Sequence, residues 1–364
     1  MGVILQDQIA LVTGASRGIG RGIALQLGEA GATVYITGRR PELSENFGLG
    51  LPSLEYVAKE ITNRGGKGIA LYVDHSNMTE VKFLFEKIKE DQDGRLDILV
   101  NNVYDSLGVS VQLKISLCLI ISFKKATEIV GNVLGFYQRC WIESRHLFRN
   151  HYYCSVYASR MMVEKRKGLI VNVGSLGGLK YVFNVAYGAG KEALSRMSTD
   201  MAVELNPYNV CVVTLIPGPV KTETSVRKTI DENYKITEKV PVHARILANL
   251  EDQFQNSEEF VKGESTEYTG KALARLAMDP GRQKKTGKTL FTEDLAQKYD
   301  FTDKEGSCVV DPKILDITHS GMEPQNIRSV RTILGTMGKS EIAKYISPKI
   351  KLPKWVIWQS VNRF

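Results

Sequence analysis

The sequence predicts an α/β domain built on a doubly wound parallel sheet, and three observations carry that prediction. Short apolar runs alternate with amphipathic helical segments up to residue 100, and the alternation resumes after residue 150. The runs are apolar throughout, as strands covered on both faces are, rather than alternating polar with apolar as a strand with one wet face does. A glycine-rich turn follows the first run directly and opens the first helix, which is the order of a strand–turn–helix unit.

The elements follow in order. Ile9 to Val12 reads as a strand, and the helix after it places Ile19, Ile23 and Leu27 on one face, with Gly31 set to end it. Thr33-Val34-Tyr35-Ile36 is a second strand, Leu54 to Asn63 a helix and Gly68 to Val73 a third strand. The next helix carries Val81, Leu84, Phe85 and Ile88 as an amphipathic stripe. Leu96 to Val100 is the fourth strand. Beyond residue 150, Tyr152 to Val163 reads as helix and Gly168 to Val173 as strand. A long helix from Tyr187 to Leu205 turns Leu194, Met197, Met201 and Leu205 inward. Val210 to Ile216 is a strand stopped by Pro217-Gly218-Pro219. A helix from Thr266 to Met278 and a strand from Lys288 to Phe291 complete the sheet. The expected organisation is one domain over 1–294, with an inserted or replaced segment at 107–149, a charged segment at 219–263 and a C-terminal extension over 295–364.

Composition narrows the class. Among 364 residues, 43% are hydrophobic and 24% charged, an ordinary globular balance. The formal charge is +8. An anionic cofactor, a membrane surface or nucleic acid would suit it, as would a merely solvated basic surface. No nucleic-acid recognition motif accompanies the charge, so no nucleic-acid partner is expected. Cys118, Cys140, Cys154, Cys211 and Cys308 show no paired spacing, and the histidines form no metal-ligand pattern. Reduced thiols and no metal are expected. The first residues lack the pattern of a signal peptide, and no apolar run reaches the length of a spanning helix.

Two stretches carry chemistry. Residues 13 to 20 read Thr-Gly-Ala-Ser-Arg-Gly-Ile-Gly between the first strand and the first helix. Gly14 suits a tight turn, Gly18 close approach of a pyrophosphate, and Gly20 close packing of helix on sheet. The helix N-terminus supplies N–H groups and partial positive charge. Gly14, Ser16, Arg17, Gly18, Ile19 and Gly20 are therefore candidate cofactor contacts. The second strand ends Thr37-Gly38-Arg39-Arg40 with no carboxylate for a ribose 2′-hydroxyl. Arg17 and Arg39 suit a 2′-phosphate instead. NADP(H) is expected in preference to NAD(H), which stays open. A solvated Arg39 or Arg40, or a carboxylate such as Glu42, would weaken that expectation.

The second stretch holds Ser175 at a strand end, then Tyr187 and Lys191, one helical turn apart. Tyrosine and lysine at that spacing are usually a surface pair. The serine before them and the glycine loop upstream give the combination its meaning. A carbonyl receiving hydride develops negative charge on oxygen and needs a proton donor and a polarising hydrogen bond. A nearby ammonium eases the loss of a tyrosine proton.

The GxxxGxG spacing after Thr13 resembles that of the short-chain dehydrogenase/reductase superfamily, whose fold is Rossmann-type. The resemblance makes Ser175, Tyr187 and Lys191 the catalytic residues, with Tyr187 as proton donor and Lys191 also on the nicotinamide ribose. It makes Asp74 an adenine-side contact and Asn101-Asn102 the start of an NNAG motif, here continued by Val103-Tyr104. It makes Pro217, Gly218, Val220 and Thr222 a PGxxxT segment at the nicotinamide end, with 219–263 covering the substrate. His151 to Met162, Phe183 to Lys191, Asp294 to Tyr299 and Leu352 to Trp358 place the chain in a narrower branch. That branch implies association with the endoplasmic reticulum, and the superfamily a homodimer or homotetramer. The substrate it implies is a small-molecule carbonyl or alcohol, a steroid or xenobiotic among the candidates. A departure accompanies the likeness: the asparagine the family carries on the helix before the serine strand has no counterpart at the expected place, and Asn150 lies late in the segment.

Two further stretches stand apart. Ile115 to Phe123 is apolar and bounded by Lys114, Lys124 and Lys125. An added strand, an interfacial membrane contact and translated sequence from an incorrect gene model all fit, and the last is preferred because family-like sequence stops near residue 106 and restarts near 150. Ser347 to Phe364 sets Trp355 and Trp358 among lysines, a composition suited to a peripheral membrane contact or a subunit interface.

Overall fold

A computed structural model of the chain describes residues 5–40, 52–104, 126–180, 185–223 and 263–303, with backbone alone at 126–141 and 143. The described strands are β1 Ile9–Val12, β2 Thr33–Gly38, β3 Lys67–Tyr72, β4 Ile98–Asn101, β5 Gly168–Val173, β6 Val210–Ile216 and β7 Thr289–Phe291. They form a parallel sheet in the order β3-β2-β1-β4-β5-β6-β7. The strand order reverses between β1 and β4, the place where an open α/β sheet leaves a crevice beyond its carboxyl ends. The doubly wound, Rossmann-type sheet expected from the sequence is therefore present.

The described α-helices are α1 Gly18–Glu29, α2 Leu54–Asn63, α3 Met78–Asp91, α4 Ala126–Lys165, α5 Val185–Leu205, α6 Thr266–Met278 and α7 Thr292–Tyr299. Alternate residues of β1 separate the two layers. Ala10 and Val12 face a core with Ile23, Leu27, Val57 and Leu273 from α1, α2 and α6. Ile9 and Leu11 face one with Leu84, Phe85, Cys154 and Met162 from α3 and α4. Each fully buried leucine or isoleucine there contributes about 1.5–3 kcal/mol. Ser53 caps α2 by accepting from Tyr56 N–H, and Asn77 caps α3 by accepting from Thr79 N–H. Cys154 and Cys211 are free and buried.

Three local features depart from the sequence reading. Helix α4 begins at Ala126, well before Tyr152. Gly131 and Gly135 lower the helical propensity of that stretch and hide it. Within α5, Leu194 and Met197 are buried, while Met201 and Leu205 are only partly covered. The boundary drawn at 294 falls inside α7, whose Leu295 and Ala296 are buried in the core. The runs 107–125 and 224–262 and the tail from 304 lie outside the described residues, as do Cys118, Cys308, Trp355 and Trp358. No helix among the described residues is long and apolar enough to cross a membrane.

Candidate active site

The turn after β1 is fixed from several sides. Gly14 and Gly18 adopt left-handed backbone conformations, with φ of 67° and 58°, which favour glycine. A Cβ on Gly20 would overlap Asn102 Nδ2 and Gly14 O. The Asn102 amide donates to Thr13 O at 3.0 Å and Gly14 O at 2.9 Å, and Thr13 Oγ1 accepts from Asn102 N–H. Asn102 thus braces the turn that the sequence assigned to the cofactor. Arg17 is the N-cap residue of α1 and its side chain makes no capping bond.

An anion already occupies this N-terminus. The Glu223 carboxylate accepts from Gly18 N–H at 2.9 Å. Glu223 follows Thr222, whose methyl lies 3.6 Å from where a Gly18 Cβ would sit. The segment leaving β6 therefore folds back over the turn leaving β1, joining the two ends of the expected cofactor site in one crevice. Val220 pairs with Glu264 in a parallel bridge, and Lys221 N–H donates to Glu264 O. The Glu264 side chain accepts from Thr269 Oγ1 and from Gly218 N–H. Gly18 N–H, held by an oxygen anion beside Arg17, and the tight backbone around Gly20 fit a dinucleotide phosphate. Ser16 and Ile19 sit half-buried on the same turn. Arg39 is half-buried at the end of β2, while Arg40 reaches over the Tyr72 ring.

Asp74 follows β3 and is half-buried. Its carboxylate accepts from Ser76 N–H, and its own N–H donates to Glu80. Next to it, His75 is buried, with Nε2 2.7 Å from Thr37 Oγ1 and Nδ1 2.7 Å from Asn150 Oδ1. Burial holds His75 down at about 4, neutral at physiological pH.

Asn101 requires a correction. Its side chain is fully buried in the sheet, where Nδ2 donates to Ser155 Oγ and Asn172 Oδ1, both at 2.9 Å. It ties β4, β5 and α4 together and does not face the crevice. As the last residue of β4 it points to the face opposite its neighbour Asn102.

The catalytic candidates come together. Ser175 ends β5 and accepts from Gly177 N–H at 3.1 Å. It also shares a hydrogen bond with Tyr187. A Cβ on Gly177 would overlap the Tyr187 ring, so the glycine lets the serine strand and α5 approach. Burial raises the Tyr187 pKa and the Ser175 hydrogen bond opposes it, which keeps the phenol protonated at neutral pH. Lys191 is 6% exposed, and its Nζ donates to Val173 O at 3.1 Å. Burial lowers its pKa to about 8. Its Nζ lies 6.0 Å from the Tyr187 ring centroid and 5.1 Å from that of Tyr104.

Helix α4 supplies the wall that faces α5. Ser144 Oγ donates to Ala186 O at 2.8 Å, and Leu147 is buried against Leu194 and Met197, with Tyr104 packed beside them. Asn150 Oδ1 meets His75 Nδ1. His151 Nε2 lies 3.1 Å from Val103 O, and burial lowers its pKa to about 3, so the neutral ring donates there. Sequence reasoning gave no site role to His75, Tyr104, His151, Glu223 and Glu264. The only local signal among them was the tyrosine in place of the motif glycine.

These features are those of an α/β oxidoreductase site, and the chain belongs to the short-chain dehydrogenase family: that family's model matches residues 8–109 and 148–233. It is an enzyme of the oxidoreductase class acting on CH–OH or carbonyl groups. Human dehydrogenase/reductase SDR family member 1 is 35% identical over 366 aligned residues that cover 100% of both chains. The mouse protein of the same name is 36% identical, covering 99% of each. Among solved structures, a variant of the actinorhodin polyketide ketoreductase with NADPH aligns at a TM-score of 0.56 and 22% identity, covering 80% of this chain and 97% of its own. It supports the fold.

Proposed function

We propose that the protein reduces a ketone or aldehyde carbonyl with NADPH, with Tyr187 as proton donor. The observation that carries this reading is the contact of Ser175 with Tyr187 beside the buried Lys191 ammonium. NADPH bound along the crevice supplies the hydride. Ser175 holds the carbonyl oxygen by a hydrogen bond, and Tyr187 Oη gives that oxygen its proton as negative charge develops. Lys191 stabilises the resulting tyrosinate. Gly14 to Gly20 and the N-terminus of α1 hold the pyrophosphate. Arg17 and Arg39 select a 2′-phosphate, and Asp74 stands at the adenine end. Pro217, Gly218, Val220 and Thr222 hold the nicotinamide end. NAD(H) is the alternative cofactor. The substrate is a small molecule, with steroids and xenobiotics the candidate classes.

The test is oxidation of NADPH and of NADH with acetophenone, benzaldehyde and cyclohexanone, in the wild type and in Tyr187→Phe. Turnover with NADPH that falls at least a hundredfold in Tyr187→Phe, while NADPH binding persists, is expected. Equal turnover in both proteins refutes the assignment. Binding without turnover on any carbonyl favours an NADP(H)-binding protein with impaired catalysis, a reading motivated by the family asparagine having no counterpart at its expected place in the sequence.

A homodimer or homotetramer is proposed from the exposed Ile142, Phe148, Tyr152 and Tyr153 on α4. The lysine- and tryptophan-bearing tail over 347–364 is proposed to contact an anionic membrane surface, that of the endoplasmic reticulum.

A further inference from the structure

We infer that Tyr104 is a positioning residue of the reaction, its ring holding the Lys191 ammonium and the Tyr187 phenol at their working separation. The inference rests on the reading of Tyr187 and Lys191 just given. An ammonium has three N–H donors. Among the described residues, the only hydrogen-bond acceptor at Lys191 Nζ is Val173 O. The remaining side of the charge is met by aromatic faces, Tyr104 at 5.1 Å and Tyr187 at 6.0 Å. A ring face attracts a cation, and more strongly where water is excluded. Lys191 is 6% exposed, so water does little of that solvation.

Tyr104 also meets Tyr187 directly. The two rings stand edge to face, with centroids 5.5 Å apart and planes at 74°, the geometry aromatic pairs prefer. One side chain thus touches both members of the proton-donating pair. Its own position is set by neighbours. Val103 N–H donates to Thr13 Oγ1 at 3.2 Å, and His151 donates to Val103 O. Leu147 and Met197 pack behind the ring. The residue lies two positions after Asn102, the brace of the phosphate turn, so a short stretch of chain links that turn to the catalytic pair. A glycine at this place would leave the ammonium only the more distant Tyr187 ring.

The ring favours the charged form of Lys191, against the burial that disfavours it. Removing it makes the ammonium lose its proton at lower pH. The test compares wild type with Tyr104→Phe, Tyr104→Leu and Tyr104→Met, using NADPH and whichever of the three carbonyl probes turns over fastest. In Tyr104→Leu, kcat at pH 7 is expected to fall about tenfold, with the NADPH Kd within about twofold of wild type. The basic limb of the kcat profile moves about one pH unit lower. Tyr104→Phe, which keeps the ring, recovers most of the turnover. If Tyr104→Leu fails to bind NADPH, Tyr104→Met, which fills the space against Leu147 without a ring, is read in its place.

A second readout needs no catalysis. The Lys191 Cε resonance of the cofactor-free protein, in a 13C-lysine sample, titrates about one unit lower in Tyr104→Leu than in wild type or Tyr104→Phe. A Lys191 midpoint unmoved by loss of the ring overturns the inference, and so does a Tyr104→Phe variant as impaired as Tyr104→Leu. Full activity in Tyr187→Phe overturns the proton-donor assignment instead and leaves the Lys191 titration to decide on Tyr104.

Discussion

Replacing Glu264 by glutamine keeps the shape of the side chain and removes its proton. Glu264 is 3% exposed, its Oε1 accepts from Thr269 Oγ1 at 3.0 Å, and its Oε2 has no hydrogen-bond partner. Burial pushes its pKa from 4.5 up to about 8. The hydrogen bonds from Thr269 and Gly218 pull it down, and the negative Asp303 and Glu293 push it further up. In the unfolded chain the proton leaves near the ordinary value, and in the folded one near 8. Between those two pH values unfolding releases a proton, so stability falls as pH rises and levels off above the folded pKa. Each unit of separation is worth about 1.4 kcal/mol. At pH 7 the ionisable group costs the fold on the order of 3 kcal/mol, and at pH 5 under about 1 kcal/mol. Glutamine removes that dependence. Urea unfolding of wild type and Glu264→Gln at pH 5, 6, 7 and 8 measures it. The variant is expected to be more stable at neutral pH, with a gap that widens from pH 5 to pH 8. Two parallel stability curves across that range would refute the reasoning.

Two further expectations concern the cradle and the tail. Glu223→Ala removes the carboxylate that competes for Gly18 N–H, so NADPH, followed by its fluorescence, binds about three- to tenfold tighter; unchanged or weaker binding contradicts the competition. The full chain is expected to float with vesicles containing phosphatidylserine, and Trp355→Ala with Trp358→Ala to reduce that at least threefold. A wild-type chain that stays with the soluble fraction ends the membrane reading.

What the sequence made legible is what the chain builds locally. The turn between β1 and α1 is one continuous stretch, and its glycines are dictated by backbone geometry within it. Tyr187 and Lys191 share a helix face because they lie one turn apart. Leu54–Asn63 and Thr266–Met278 have clear stripes and capping serines, and both helices keep the bounds read from the sequence. The rest depends on distant partners. Asn101 was read as a cofactor contact because Asn101-Asn102 resembles the start of the family's NNAG motif, but its direction is set by Ser155 and Asn172 across the sheet. Gly22 in α1 and Gly270 in α6 allow two helix backbones to touch, and neither glycine signals the other in sequence. Glu264 reads as one more surface charge until the bridge to Val220 buries it. His151 becomes informative only once Val103 is seen beside it.

Helix α4 gives the crevice a common ruler. Ser144 is tied to Ala186, Asn150 to His75, His151 to Val103 and Ser155 to Asn101, along roughly 16 Å of helix. Arg149 adds a bond to Ser76 O. The turn after β3, the strand ends and helix α5 therefore take their spacing from one rod, pinned by bonds made between Ser144 and Ser155. Sliding the rod by a single residue would break them together. The register of the site is thus decided downstream of Ser144.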